Sequence, residues 1–179
     1  FGVVSASVQA PDDTTFLSTD NTNFQVFAVR DYNKSKSAYF KLTSSLSPSP
    51  FPEITSSVFF EVYNNQDWNF SVSVIPNKSG SLKFVTGSDV YDYTLKFEGY
   101  NTLLGDVRDN FSIEESLTKT QGENFLKSAK RVYAGAYKQN LTGTLINESD
   151  VLISGVRYWL RSIDYNSKKQ HSLDFDNFG

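Results

Sequence analysis

The side chains able to do covalent or acid–base chemistry are few and scattered. His171 is the single histidine, and it lies in a polar stretch near the C-terminus. Ser-His-Asp catalysis needs its imidazole held rigidly against both a hydroxyl and a carboxylate, and a polar tail provides no such frame. The acidic clusters Asp12-Asp13, Glu114-Glu115 and Asp174-x-Asp176 have the residue types of a glycosidase pair or a calcium loop. Nothing in their spacing fixes a distance between carboxylates, and Asp89, Asp92 and Asp106 add none. Cysteine is absent, which removes thiolate nucleophiles, thiolate metal sites and disulfides. The glycines are dispersed and form no phosphate-cradling loop. The expectation is therefore a non-enzymatic chain with no catalytic residue, no metal and no cofactor.

Binding chemistry is better represented. Tyr158 and Trp159 sit between Arg157 and Arg161, and together with Tyr100 and Tyr165 they have the flat rings of a sugar-stacking platform. The same rings more commonly half-bury at an ordinary sheet edge, and that reading is preferred while the platform stays open. Trp68 has only apolar partners on its strand parity and is expected in the core. The net charge of −3 speaks against a nucleic-acid binder. Asn33, Asn69, Asn77, Asn110, Asn140 and Asn147 open N-x-S/T sequons in a chain rich in all three residue types, and they are read as compositional.

These residues must be positioned by strands. The 179-residue length supports one domain with its own core, and aromatics reach 15%. Between Val58 and Phe97, Trp68, Phe70, Val72 and Val74 share one parity while Asn69, Ser71 and Ser73 share the other. Tyr91, Tyr93, Leu95 and Phe97 then alternate with Asp92, Thr94 and Lys96. Side chains that change face at every residue define strands, and the stretch reads as a four-strand meander that includes Ser81–Val85. Phe24–Tyr32 and Ser37–Leu46 predict a hairpin, with Ala38, Phe40 and Leu42 on one face. The proline-rich segment 47–52 is expected to carry the chain over the edge of the sandwich.

Helical character is confined to 112–131. Ser112 and Glu115 make a capping-box pattern, and Phe125, Leu126 and Ala129 a candidate buried stripe, which Gly122 weakens. Strand chemistry returns over 132–146 and again over 151–165, and the tail beyond is polar and expected to be loose at its end. The domain division is an N-terminal extension over 1–22, a β-sandwich over 23–165 and a polar tail over 166–179. No apolar run approaches the roughly 20 residues of a transmembrane helix. A chain without methionine that begins at Phe1 is expected to be a processed product or an excised fragment, the preferred reading being that a signal peptide has been removed and the protein is secreted or at the cell surface.

Three stretches together resemble bacterial chaperone–usher-type fimbrial subunits and spore-coat-like sandwiches. Val3 to Pro11 is similar to the alternating N-terminal extension of such pilins. Asp67 to Val72 and Val90 to Leu95 are similar to their tryptophan and tyrosine strands, and Tyr133 to Leu145 looks like their closing strand. The resemblance covers about half of the chain. It departs from the family in the residues that follow Ile146 and in the helical excursion.

The resemblance implies an Ig-like two-sheet antiparallel sandwich completed by a donated strand. Gly2 to Ala10 would be that strand, with Val4, Ala6, Val8 and Ala10 contacting other subunits of the same or related type. An assembly chaperone would guard the open groove, and a host glycan or protein would be the receptor. The expected function is a fimbrial or pilus structural subunit or adhesin. Two further readings are a carbohydrate-binding, lectin-like sandwich and a viral or phage capsid or spike domain.

Overall fold

A computed structural model describes residues 2–6, 22–45, 49–77, 91–127, 129–138, 145–148, 152–174 and 176. The elements run β1 (Gly2–Ala6), β2 (Thr22–Arg30), β3 (Ala38–Thr43), β4 (Ile54–Phe59), β5 (Asp67–Pro76), β6 (Tyr91–Leu103), β7 (Asp106–Thr118), α1 (Lys119–Lys127), β8 (Ala129–Tyr133), β9 (Ala136–Lys138), β10 (Leu145–Glu148) and α2 (Tyr165–Leu173). A five-stranded sheet has the order β4-β3-β2-β1-β8, a three-stranded sheet the order β5-β6-β7, and β9 pairs with β10. Every pairing is antiparallel. The chain is mostly β, and its two larger sheets share one core, consistent with a β-sandwich.

Alternating polarity builds that core. On β3 the residues Ala38, Phe40 and Leu42 are buried while Tyr39, Lys41 and Thr43 are intermediate. The expected β2–β3 hairpin forms, in register from Gln25↔Thr43 to Arg30↔Ala38. From the other sheet come Leu95, Phe97, Phe111 and Leu117, with Trp68, Val72, Val74, Tyr93 and Ile113 packed around them. The Phe40 ring meets Trp68 at 4.5 Å, Phe70 at 4.7 Å and Phe111 at 5.7 Å. Trp68 is partly buried and packs against this core, on the face its strand parity implies, while Phe70 of the same parity is 37% exposed. Gly99 pairs with Phe111 across the ladder, and a Cβ there would lie 2.3 Å from the Phe111 ring. The missing side chain lets that ring lie over the strand.

The helix is displaced from its expected start. Ser112 and Glu115 are strand residues of β7, paired with Glu98 and Leu95. The long β6–β7 ladder and the inward row Phe111, Ile113 and Leu117 outweigh the local capping pattern. The working capping box is six residues later, at Thr118 and Gln121. The Thr118 hydroxyl accepts from Gln121 N at 3.3 Å, and Gln121 Oε1 accepts from Thr118 N at 3.0 Å. Phe125 buries against Phe24 and Phe51, Leu126 is exposed, and Ala129 already belongs to β8. Gly122 is buried because α1 comes so close to Tyr93 that a Cβ would stand 2.3 Å from its ring.

Three connections also differ from expectation. β4 and β5 lie in different sheets, so residues 60–66 cross between layers instead of closing a hairpin of one meander; Ser81–Val85 lies outside the described residues. The proline segment leads back to β4 beside β3, not over the sandwich edge; Phe51 plugs into the core and the Pro50 carbonyl accepts from Gln121 Nε2 at 2.8 Å. Residues 152–164 form no strand, and α2 takes in Tyr165 and residues 166–173 of the polar tail. Its buried residues are Lys168 and His171, so no apolar stripe announces it.

β1 occupies an interior position of its own chain's sheet. It pairs with β2 from Gly2↔Gln25 to Val4↔Thr22, through a bulge, and with β8 from Gly2↔Tyr133 to Ala6↔Ala129. Of the expected subunit-contact residues, Val4 and Ala6 lie in this strand; Val8 and Ala10 lie outside the described residues.

Candidate functional site

The polar end of the sandwich is built where the β4–β5 crossover meets the β6–β7 hairpin. The β6–β7 register shifts between Asn101 and Thr102, a bulge that re-aims side chains locally. Asn101 is buried, and its Nδ2 donates to Gln66 Oε1 at 2.8 Å and to Asp109 Oδ2 at 3.3 Å. Trp68 Nε1 donates to the same Gln66 oxygen at 3.3 Å. This network closes the aromatic core and gives buried polar groups the partners they require.

Beside this network opens a cavity of about 130 Å³, lined by Glu61, Asn64, Asn65, Gln66, Asp67, Asn101, Thr102, Leu103 and Arg108. Seven of these nine residues carry a carboxylate, amide or guanidinium group. The backbone around it is held in an uncommon conformation. Glu61 and Asn65 have φ of 58° and 56°, and Leu104 at the hairpin tip has φ of 52°. These are three of the four described non-glycine residues with positive φ, and such strain concentrates at functional sites. The crossover turn is closed by Asn64 N donating to the Glu61 carbonyl at 2.8 Å. It is braced from below by Tyr63, whose hydroxyl donates to the Ala28 carbonyl at 2.8 Å and whose ring lies under the Arg30 guanidinium.

The residues singled out from sequence are divided among other places. Tyr158 is 68% and Trp159 39% exposed. The Trp159 ring centroid lies 5.4 Å from that of His171, and Arg157 Nη1 lies 2.7 Å from His171 Nδ1. Arginine only donates, so Nδ1 accepts in this contact. Arg161 is exposed. Tyr100 is buried on the outer face of the three-stranded sheet, 6.0 Å between centroids from Tyr165, and is therefore no stacking surface. Burial, reinforced by the nearby Glu98 carboxylate, holds its phenol well above the ordinary tyrosine range.

The acidic clusters do not assemble a site. Glu114 pairs with Lys96 across the β6–β7 ladder, while Glu115 takes the opposite strand parity and is exposed. Asp176 N donates to Asp174 Oδ1 at 3.1 Å. Asp12, Asp13 and Asp89 lie outside the described residues. Among the described residues no group of three or more His, Asp or Glu is placed to hold a metal ion, and no helix is long and apolar enough to cross a membrane.

The cavity was not anticipated. Asn64-Asn65-Gln66-Asp67 reads as a plain polar turn, and Asn101 and Arg108 reach it only through the hairpin and its bulge. The available signal was an unusually amide-rich turn directly before a tryptophan strand. A scan against protein-family models matches none, and neither the curated proteins nor the solved structures contain a match to this chain.

Proposed function

We propose that this chain is a non-catalytic β-sandwich module that binds carbohydrate in the cavity between residues 61–67 and 101–108. The observation that carries the reading is the lining itself, in which planar donors and acceptors predominate. Amides, carboxylates and a guanidinium satisfy pairs of neighbouring hydroxyls with two parallel hydrogen bonds. They suit a polyol better than a flat apolar molecule, for which sites are mostly hydrophobic. A secreted or cell-surface location goes with such a role. The test is a glycan array probed with the intact chain and with an Asn64→Ala/Asp67→Ala variant. Binding by the intact chain that the variant loses supports the reading; binding equal in both refutes it.

A second reading, a fimbrial or adhesive subunit with an Ig-like sandwich assembled by strand complementation, is favoured by one observation. β1 is the N-terminal segment, and it is inserted between β2 and β8, where a neighbour's β1 would fit with the same hydrogen bonds. Light scattering of the intact chain across concentration tests it: oligomers that resist dilution and require residues 1–10 favour the fibre, and a dilution-independent monomer removes it.

A further inference from the structure

Resting on the carbohydrate reading, we infer that the cavity selects a neutral sugar bearing a methyl group, a 6-deoxyhexose or an N-acetylhexosamine, and discriminates against anionic sugars. Two features of the lining argue for this. The first is charge. Glu61 and Asp67 supply two carboxylates against the single cation Arg108. A third carboxylate, Asp109, stands directly behind Asn101 at hydrogen-bond distance. Glu61, Asp67 and Arg108 are exposed, so a sugar carboxylate entering this cavity meets a surplus of like charge that salt partly screens.

The second feature is the apolar exception. Leu103 is the one purely hydrocarbon side chain of the lining, and it is 54% exposed. It closes β6 immediately before the left-handed Leu104, so the hairpin turn fixes its position at the rim. A half-exposed leucine beside polar groups gives one place where a ligand methyl leaves water. Burying one such group is worth about a fourfold gain in affinity. A parent hexose, with hydroxyls at every position, forgoes that gain.

The experiment is calorimetric titration of the intact chain with four sugars: a hexose, its 6-deoxy form, its N-acetylamino form and its uronic acid. We expect at least one methyl-bearing sugar to bind about fourfold tighter than the hexose, and the uronic acid to bind about threefold weaker at low salt. The arm that gains identifies which methyl meets Leu103. Leu103→Ser removes the gain without loss of hexose binding, and Leu103→Met restores it. Glu61→Gln/Asp67→Asn narrows the penalty on the uronic acid. Equal binding of all four sugars, lost in Asn64→Ala/Asp67→Ala, overturns this selectivity and leaves the carbohydrate reading intact. A methyl preference unmoved by Leu103→Ser overturns the role of Leu103. Binding of none of them overturns both.

Discussion

Lys168 and Glu98 form a buried ion pair that fastens α2 to the outer face of the three-stranded sheet. Their side chains are 6% and 5% exposed, and Lys168 Nζ also donates to Ser73 Oγ at 3.1 Å. The partners are 70 residues apart in sequence. Two desolvated charges that satisfy each other gain little over an apolar pair, but either one left alone is costly. Lys168→Ala is therefore expected to lower stability by about 3–5 kcal/mol, whereas Lys168→Met with Glu98→Leu recovers most of that loss. Urea unfolding of the three proteins checks this. Equal stability of the single and double variants would contradict it.

Acid should loosen the same helix at its N-terminus. Asp164 caps α2, accepting from Ser167 N at 3.0 Å and Ser167 Oγ at 2.7 Å, and these bonds hold its carboxyl below its ordinary value of 3.8. A carboxyl depressed in the folded state contributes stability above its unfolded pKa and loses it as pH falls through the folded one. Amide exchange over 165–173 should accelerate as pH drops below about 3.8, after correction for intrinsic rates. Asp164→Asn keeps an N-cap and should remove that dependence.

Gly122→Ala should destabilise, although alanine improves helix propensity by about 1 kcal/mol. The added Cβ would meet the base of the Tyr93 ring at 2.3 Å, and forcing aside a packed ring costs about 1–3 kcal/mol. A raised melting temperature would contradict the close approach of α1 to β6.

The β6–β7 tip should respond in the opposite sense. Leu104 and Gly105 both have positive φ, as a two-residue type I′ hairpin requires, and asparagine fits the first position better than leucine. Leu104 is 96% exposed, so little packing is lost. Leu104→Asn is expected to stabilise by about 1 kcal/mol, read as a higher urea midpoint at constant slope.

How much of this was legible follows from where each residue's burial is decided. Ala38, Phe40 and Leu42, and Trp68 with Val72 and Val74, announce their face through alternation alone, because strand geometry assigns it locally. Ser112 misled because its capping pattern is local while the β7 ladder that overrides it is not. α2 was hidden because its buried residues are Lys168, held by Glu98, and His171, neither of them apolar. The cavity was hidden because its two walls come from stretches about forty residues apart, with Asn101 re-aimed by a register shift that no residue pattern marks. The capping pair Thr118 and Gln121 is, by contrast, a local pattern legible in the sequence.

The most direct test of the account is a ¹⁵N chemical-shift titration of the intact chain with the sugar that binds best. The amides of residues 61–67 and 101–108 are predicted to move, while Tyr158, Trp159 and Arg161 stay in place. Shifts centred on 157–161 with the cavity unmoved would contradict the account and put the ligand on the exposed aromatic segment instead.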